Sequence, residues 1–182
     1  MTDVIIIGAG PGGFDLAIAL AKQKKQVVLI DKMQVGGTCL HLGCVPTKTL
    51  LHVVETIHDT NALSHLGLHL DTSSLTLEGL WKHKDSVVQT ITQDMLSSLK
   101  NLPVELIYGQ AKITSPHSVK VNDTIYEAEK IVIATGSRPS KLKVSGCDLA
   151  HVYDSNSIYQ TSTLPKSIAI IGGGYIGIEW AT

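Results

Sequence analysis

Apolar residues in this chain fall into two kinds of pattern, and their order predicts the architecture. Residues 3–7 are an unbroken β-branched run after Asp3, which predicts a strand buried on both faces. Six residues rich in glycine follow, Gly8-Ala9-Gly10-Pro11-Gly12-Gly13. From Phe14 to Lys24 the pattern changes: Leu16, Ala17, Leu20 and Ala21 recur at helical spacing. A second apolar run, residues 27–30, ends at Asp31. Strand, helix and strand over about thirty residues make a β-α-β unit.

Further along, the spacing predicts a helix through Leu50, Val53, Val54 and Ile57 and an irregular stretch from Asn61 to Ser74. A long amphipathic helix follows over 77–99, with Leu80, Val87, Val88, Ile91, Met95 and Leu99 on one stripe. Residues 104–108 read as a strand, and Gly109-Gln110-Ala111 as a turn into Lys112-Ile113. Residues 119–121 and 124–126, joined by Asn122-Asp123, read as a β-hairpin. Residues 130–134 predict another buried strand, ending in Thr135-Gly136-Ser137. Residues 140–163 lack periodicity and read as a crossing segment. A last apolar run, 167–171, predicts a strand before Gly172-Gly173-Gly174-Tyr175-Ile176-Gly177.

The fold class expected is α/β: a Rossmann-like domain with a central parallel sheet plus a β-hairpin or meander, and the start of a second Rossmann-like domain. Residues 1–150 make up the first domain. Residues 151–182 are a linker with the strand, turn and helix start of the second, so the chain reads as the N-terminal part of a longer protein.

The glycines give this pattern its chemistry. Gly8, Gly10 and Gly13 form G-x-G-x-x-G between a strand and a helix. Gly8 permits the tight turn, Gly10 lets backbone approach a pyrophosphate, and Gly13 lets helix and strand pack closely. The helix N-terminus offers N–H groups and positive dipole to phosphates. Asp31 ends the second strand, where a carboxylate accepts hydrogen bonds from ribose hydroxyls. Gly172, Gly174 and Gly177 repeat the motif. Thr135-Gly136 brings small residues to the carboxyl edge of the sheet, where doubly wound folds bind ligands.

Cys39 and Cys44 are two of only three cysteines. On a regular helix a five-residue step turns about 500°, which leaves the side chains roughly 140° apart. A bond between them therefore needs an irregular turn, which Gly43 permits. Pro46 suits the first turn of a following helix. The pair is either a redox-active dithiol or two inert buried thiols. Lys48 stands one helical turn past Cys44, where a cation would stabilise negative charge on a neighbouring group. Cys147 has no partner in view. His52 and His58 lack a cysteine or carboxylate at metal spacing, so no metal site is expected.

Composition narrows the classes. The chain has 182 residues, 43% of them hydrophobic, and a formal charge of −1. It shows no basic patch with interleaved aromatics, which argues against nucleic acid. No apolar run approaches a membrane span, and no basic stretch precedes the first apolar one. Few cysteines and no export signal favour the cytoplasm.

The combination resembles the FAD-containing pyridine nucleotide–disulfide oxidoreductases over the whole chain. Gly37-Thr38-Cys39-Leu40 with Gly43-Cys44-Val45-Pro46-Thr47-Lys48 carries the most specific part of the resemblance. Thr47-Lys48 and residues 177–181 are most similar to the dihydrolipoamide dehydrogenase branch. His41 stands where that branch commonly has Asn, and Tyr175 resembles the residue gating the nicotinamide pocket in glutathione reductases.

The resemblance implies that Gly8, Gly10, Pro11, Gly12 and Gly13 hold the FAD pyrophosphate, and that Asp31 and Lys32 lie by its adenosine. Gly37, Thr38 and Cys39 would face the flavin, Gln110 and Ala111 the adenine, and Thr135, Gly136 and Ser137 the cofactor's length. Gly172, Gly174, Tyr175 and Gly177 would begin an NAD or NADP site. Cys39 and Cys44 would form a redox-active disulfide, Cys39 meeting substrate and Cys44 the flavin as a charge-transfer thiolate. Lys48, paired with Glu179, would complete the catalytic set.

The implied reaction is oxidation of dihydrolipoyl groups with NAD⁺. An NADPH-dependent glutathione or mercuric reductase is the alternative, as is an FAD-binding piece without turnover. The implied partners are a lipoyl-bearing protein or a small disulfide or dithiol, and a second copy in a homodimer of the full-length protein.

Overall fold

A computed structural model describes residues 2–182. The elements follow in the order β1 (Thr2–Ile7), α1 (Pro11–Lys22), β2 (Val27–Asp31), α2 (Gly37–Leu42), α3 (Cys44–Ala62), α4 (Leu77–Leu99), β3 (Val104–Tyr108), β4 (Ala111–Ser115), β5 (Ser118–Val121), β6 (Thr124–Ile133) and α5 (Tyr175–Ala181). The chain divides into two compact units. One comprises residues 1–41 and 90–138, the other 42–89 and 139–182.

The first unit is built on a six-stranded sheet of order β3-β2-β1-β6-β5-β4. β3, β2, β1 and β6 run parallel, with Ile6 opposite both Leu29 and Val132. The unbroken apolar runs of β1 and β2 are explained by burial on both faces. On one face Val4, Ile6, Val27 and Leu29 pack with Phe14 and Ala17 of α1 and with Leu99. On the other, Ile5, Val28 and Ile30 pack with Val119, Val121 and Ala128. Ile5, Ile6, Leu29 and Ile30 are wholly buried, and each such side chain contributes about 1.5–3 kcal/mol.

β6 differs from expectation. Residues 124–126 and 130–134 read as two strands, but Thr124–Ile133 is one strand of ten residues. Its first part is antiparallel to β5, with Val121 opposite Thr124 across the Asn122-Asp123 turn. From Ala128 on it is parallel to β1. One strand thus closes the hairpin and extends the parallel sheet, so the polar residues Glu127, Glu129 and Lys130 do not interrupt it. The last part is also less buried than read from sequence, with Ile133 67% exposed.

In the second unit α3 and α5 are joined by the 3-10 turn Ile158–Gln160, whose Tyr159 anchors an aromatic trio. Its ring centroid lies 6.0 Å from that of Trp81 and 5.5 Å from that of Trp180. The strand expected over 167–171 is not formed. A strand is completed by ladder hydrogen bonds from a neighbour, and none of the described residues pairs with this run. Ile168 and Ile171 are accordingly 54% and 78% exposed.

Candidate functional site

The first glycine turn is set by two close approaches. Gly8 has φ +108°, and a Cβ there would stand 2.1 Å from the Ala134 carbonyl oxygen. A Cβ on Gly13 would stand 1.9 Å from the Gly8 carbonyl oxygen, so helix and strand touch through backbone alone. A Cβ on Gly12, in contrast, would meet nothing within 4 Å. Gly10 caps α1 in extended conformation, no side chain caps that end, and Pro11 takes its first turn. The start of this twelve-residue helix is therefore an open backbone cradle with a positive dipole end. Those features fit a pyrophosphate.

The sequence did not indicate that the cysteine segment docks on this turn. A Cβ on Gly37 would lie 2.8 Å from the Gly10 Cα, and the Gly36 N–H donates to the Ala9 carbonyl at 2.7 Å. The Gly36-Gly37 pair thus brings α2, with Thr38 and the half-buried Cys39, against the first turn. The Val35 carbonyl accepts a 2.8 Å hydrogen bond from His41 Nε2.

Asp31 sits at the carboxyl end of β2. Its Oδ2 accepts from the Ala9 N–H at 2.7 Å and its Oδ1 from the Met33 N–H at 2.9 Å. A carboxylate has about four acceptor sites, so two stay available for hydroxyls. Across the ladder Asp31 faces Tyr108 of β3. Burial raises the Tyr108 phenol above its ordinary range, and the Asp31 charge adds to the effect. Gly109 donates its N–H to the Asp31 carbonyl at 2.8 Å, which leads Gln110 and Ala111 away from the same edge. The Ala134 N–H donates to the Ile7 carbonyl at 2.8 Å, so the exposed Thr135, Gly136 and Ser137 also leave the sheet there. Lys32 is exposed.

The second unit holds the rest. Gly43, at φ −134° and ψ −113°, separates α2 from α3, an irregular turn of the kind a bond between Cys39 and Cys44 would need. Cys44 opens α3 and is exposed, and Pro46 follows in its first turn. Cys147 is likewise exposed. A hollow of about 330 Å³ is lined by Cys44, Val45, Lys48 and Thr49. Lys48 Nζ donates to Glu179 Oε1 at 2.6 Å, joining residues 131 positions apart.

Sequence reasoning passed over Tyr159, because residues 140–163 carry no pattern. Its hydroxyl lies 2.8 Å from Thr47 Oγ1 and 3.5 Å from the Gly43 carbonyl oxygen. Burial raises this phenol above its ordinary range. The hydrogen bond to Thr47 opposes that shift, and the charges of Cys44 and Glu179 add to it.

The second glycine turn repeats the first. Gly172 has φ +113°, and a Cβ on Gly177 would lie 2.1 Å from the Gly172 carbonyl oxygen. Gly174 caps α5 at φ −76° and ψ 176°, against −68° and 179° for Gly10. Tyr175 is 75% exposed beside it. Among the described residues no three His, Cys, Asp or Glu side chains could hold a metal ion, and no helix is long and apolar enough to cross a membrane.

The chain is similar to known proteins over nearly its whole length. A dihydrolipoyl dehydrogenase of Thermus scotoductus is 38% identical over 179 residues, covering 97% of this chain and 38% of that protein. A mercuric reductase of Lysinibacillus sphaericus is 34% identical over 178 residues, covering 97% of this chain and 33% of that protein. The solved structure of the HOCl-induced flavoprotein disulfide reductase RclA from Escherichia coli matches with a TM-score of 0.78 at 33% identity, over 98% of this chain and 38% of that one. The chain thus spans well under half the length of the relatives it matches. The family described as pyridine nucleotide-disulphide oxidoreductase matches residues 2–182, and this chain belongs to it.

Proposed function

We propose that this chain is the flavin-binding, disulfide-bearing part of a dihydrolipoyl dehydrogenase that oxidises dihydrolipoyl groups with NAD⁺. Family membership implies a flavin and a pyridine nucleotide. FAD would lie along Gly8, Gly10, Pro11, Gly12 and Gly13, with Asp31 and Lys32 toward its adenosine. Gly37, Thr38, Gln110, Ala111, Thr135, Gly136 and Ser137 would line the remainder. Gly172, Gly174, Tyr175 and Gly177 would start the nicotinamide nucleotide site. On this reading residues 1–150 form the flavin domain and 151–182 open the next. When bound, FAD supplies the two-electron chemistry between a dithiol and the nicotinamide.

The chain's own part is thiol–disulfide exchange. In the oxidised form a substrate thiolate attacks the Cys39 sulfur of the Cys39–Cys44 disulfide, which releases the Cys44 thiolate. The second substrate thiolate then attacks the mixed disulfide and releases Cys39. The substrate leaves as a cyclic disulfide, two electrons remain on the cysteines, and the reaction balances. Lys48, one turn past Cys44, supplies positive charge at this end of α3, and Glu179 fixes its ammonium.

The observation that carries the reading is the 2.6 Å bond from Lys48 to Glu179. It joins the cysteine helix to the helix of the second glycine turn, and both partners fall in the family's motifs. The test is a visible spectrum of the flavin-loaded protein before and after anaerobic dihydrolipoamide. A broad long-wavelength shoulder that Cys44→Ser removes is expected. A shoulder that survives Cys44→Ser overturns the assignment of the two cysteines.

A second reading, an NADPH-dependent reductase of a disulfide or of mercuric ion, is favoured by the exposed Tyr175. Dihydrolipoamide, glutathione disulfide and mercuric ion assayed with each nicotinamide separate the two. We place the full-length protein in the cytoplasm as a homodimer acting on a lipoyl-bearing protein. Residues 1–182 alone are expected to show no turnover with either nicotinamide.

A further inference from the structure

Two side chains of α5 link it to the start of α3, one directly and one through Tyr159. Glu179 takes Lys48, as described. The second link runs through Trp180, whose ring centroid is 5.5 Å from that of Tyr159. Tyr159 is fixed on its other flank by Trp81, whose indole N–H donates to the Thr161 carbonyl at 3.0 Å. The aromatic ring is thus clamped, and its hydroxyl is delivered to one place.

That place is the peptide preceding Cys44. Thr47 is 7% exposed, and its hydroxyl donates to the Gly43 carbonyl at 2.9 Å. The Thr47 N–H donates to the same carbonyl at 3.1 Å. At 2.8 Å either hydroxyl can donate to the other; with the Thr47 proton on the Gly43 carbonyl, the Tyr159 hydroxyl donates to Thr47 Oγ1, and it also lies 3.5 Å from that carbonyl. The chain of donors therefore runs Tyr159 to Thr47 to the Gly43 carbonyl. Bonds in such a chain polarise one another. The polarised carbonyl belongs to the peptide whose N–H is that of Cys44, at the positive end of a nineteen-residue helix.

We infer that Tyr159 is a positioning residue for Cys44. Through Thr47 and the Gly43 carbonyl, its hydroxyl holds the first turn of α3 and polarises the Gly43–Cys44 peptide toward the sulfur's negative charge. Burial keeps the phenol's proton on; the Thr47 hydrogen bond opposes this, and the charges of Cys44 and Glu179 reinforce it. The other charges facing this network are Lys48, in the hollow with Cys44, and Lys84. Lys84 Nζ lies 5.2 Å from the Tyr159 ring centroid and pairs with Asp85. Asp154 closes the turn that carries Tyr159 by accepting from the Asn156 and Ser157 N–H groups.

The test uses the reduced 182-residue chain without flavin. Iodoacetamide alkylation of Cys44 is followed by peptide mass spectrometry, with fragment ions that separate it from Cys39 and with Cys147 as internal reference. Tyr159→Phe keeps the ring between the two indoles and removes only the hydroxyl. It is expected to slow Cys44 alkylation about threefold at neutral pH, the size a single weakened hydrogen bond allows, and the deficit closes at alkaline pH. Thr47→Val does the same, Thr47→Ser keeps the wild-type rate, and the double variant is no slower than either single one.

Unchanged rates overturn the inference, as does a deficit that persists at alkaline pH or losses that add in the double variant. Tryptophan fluorescence checks the clamp. If Tyr159→Phe disturbs it, the Thr47 pair decides, since Thr47→Ser and Thr47→Val change none of the three rings. The inference rests on reading Cys44 as the flavin-side thiol. That reading fails by a long-wavelength flavin band that survives Cys44→Ser and this one by the alkylation profile, so the two failures are distinguishable.

Discussion

Gly12 and Gly13 are neighbours in one turn, and the structure gives them opposite consequences. An alanine at 13 puts its Cβ 1.9 Å from the Gly8 carbonyl oxygen, 3.0 Å from the Gly8 carbonyl carbon and 3.2 Å from the Ala134 Cβ. The first two are backbone atoms of a turn that already approaches Ala134, so neither can rotate aside. Relief requires α1 to lift from β1 by more than about 1 Å, which opens the packing of Phe14 and Ala17. Overpacking of this kind costs about 1–3 kcal/mol, and a contact this short belongs at the upper end. Alanine's better helix propensity returns about 1 kcal/mol. The net loss is about 2 kcal/mol, which for a chain of this length lowers the melting temperature by about 4–8 °C. Gly12→Ala meets nothing within 4 Å. Its melting temperature should hold or rise, because a glycine is removed at no steric cost. Its Cβ instead enters the space assigned to the pyrophosphate, so FAD affinity should fall. Far-UV circular dichroism melts and FAD titration of both variants make the comparison. A Gly13→Ala protein that melts with wild type, or a Gly12→Ala protein that melts early yet binds FAD normally, would refute the reasoning.

Two further outcomes follow from the ion pairs. Lys48 and Glu179 are 61% and 26% exposed at the side chain, so Glu179→Gln should cost no more than about 1 kcal/mol of stability. Dithiol-dependent flavin reduction should nevertheless slow several-fold, measured by stopped-flow absorbance, and a loss of folding in this variant would contradict the exposed geometry. The Lys25 ammonium, which donates to Asp3 Oδ1, and then the Gln26 N–H hold the Asp3 carboxyl below its ordinary 3.8. A depressed folded value means the contribution is present above pH 3.8 and is lost as pH falls through the lower folded value. Asp3→Asn should therefore flatten the fall of the urea midpoint at acid pH and leave the slope near neutrality unchanged. A slope at acid pH that matches wild type would count against it.

The parallel strands were legible because burial on both faces writes itself as an unbroken apolar run, as in residues 3–7 and 27–30. The glycine turns were legible for a different reason. From Gly172 to Gly177 the backbone repeats Gly8 to Gly13, with φ +113° against +108° at the first glycine. It does so although the strand expected before it, 167–171, is not formed. The turn is decided within six residues, by one positive φ and one contact between a carbonyl and a missing Cβ. The strand depends on hydrogen bonds that its own sequence cannot supply.

The remaining features depend on residues far apart in the chain. Nothing near residue 124 announces that the hairpin strand will run on through Glu127, Glu129 and Lys130 to line β1. Nothing in 140–163 marks Tyr159, whose partner Thr47 is 112 residues away. Gly37 reads locally as part of a cysteine motif, yet its hydrogen in place of a Cβ lets α2 rest on Gly10. By itself the sequence determined the local geometry, helix periods and turns with short-range causes. Tertiary structure alone decided which distant backbone carbonyl a hydroxyl meets and which glycine another glycine touches, because those contacts exist only once the sheet and the helices have been assembled.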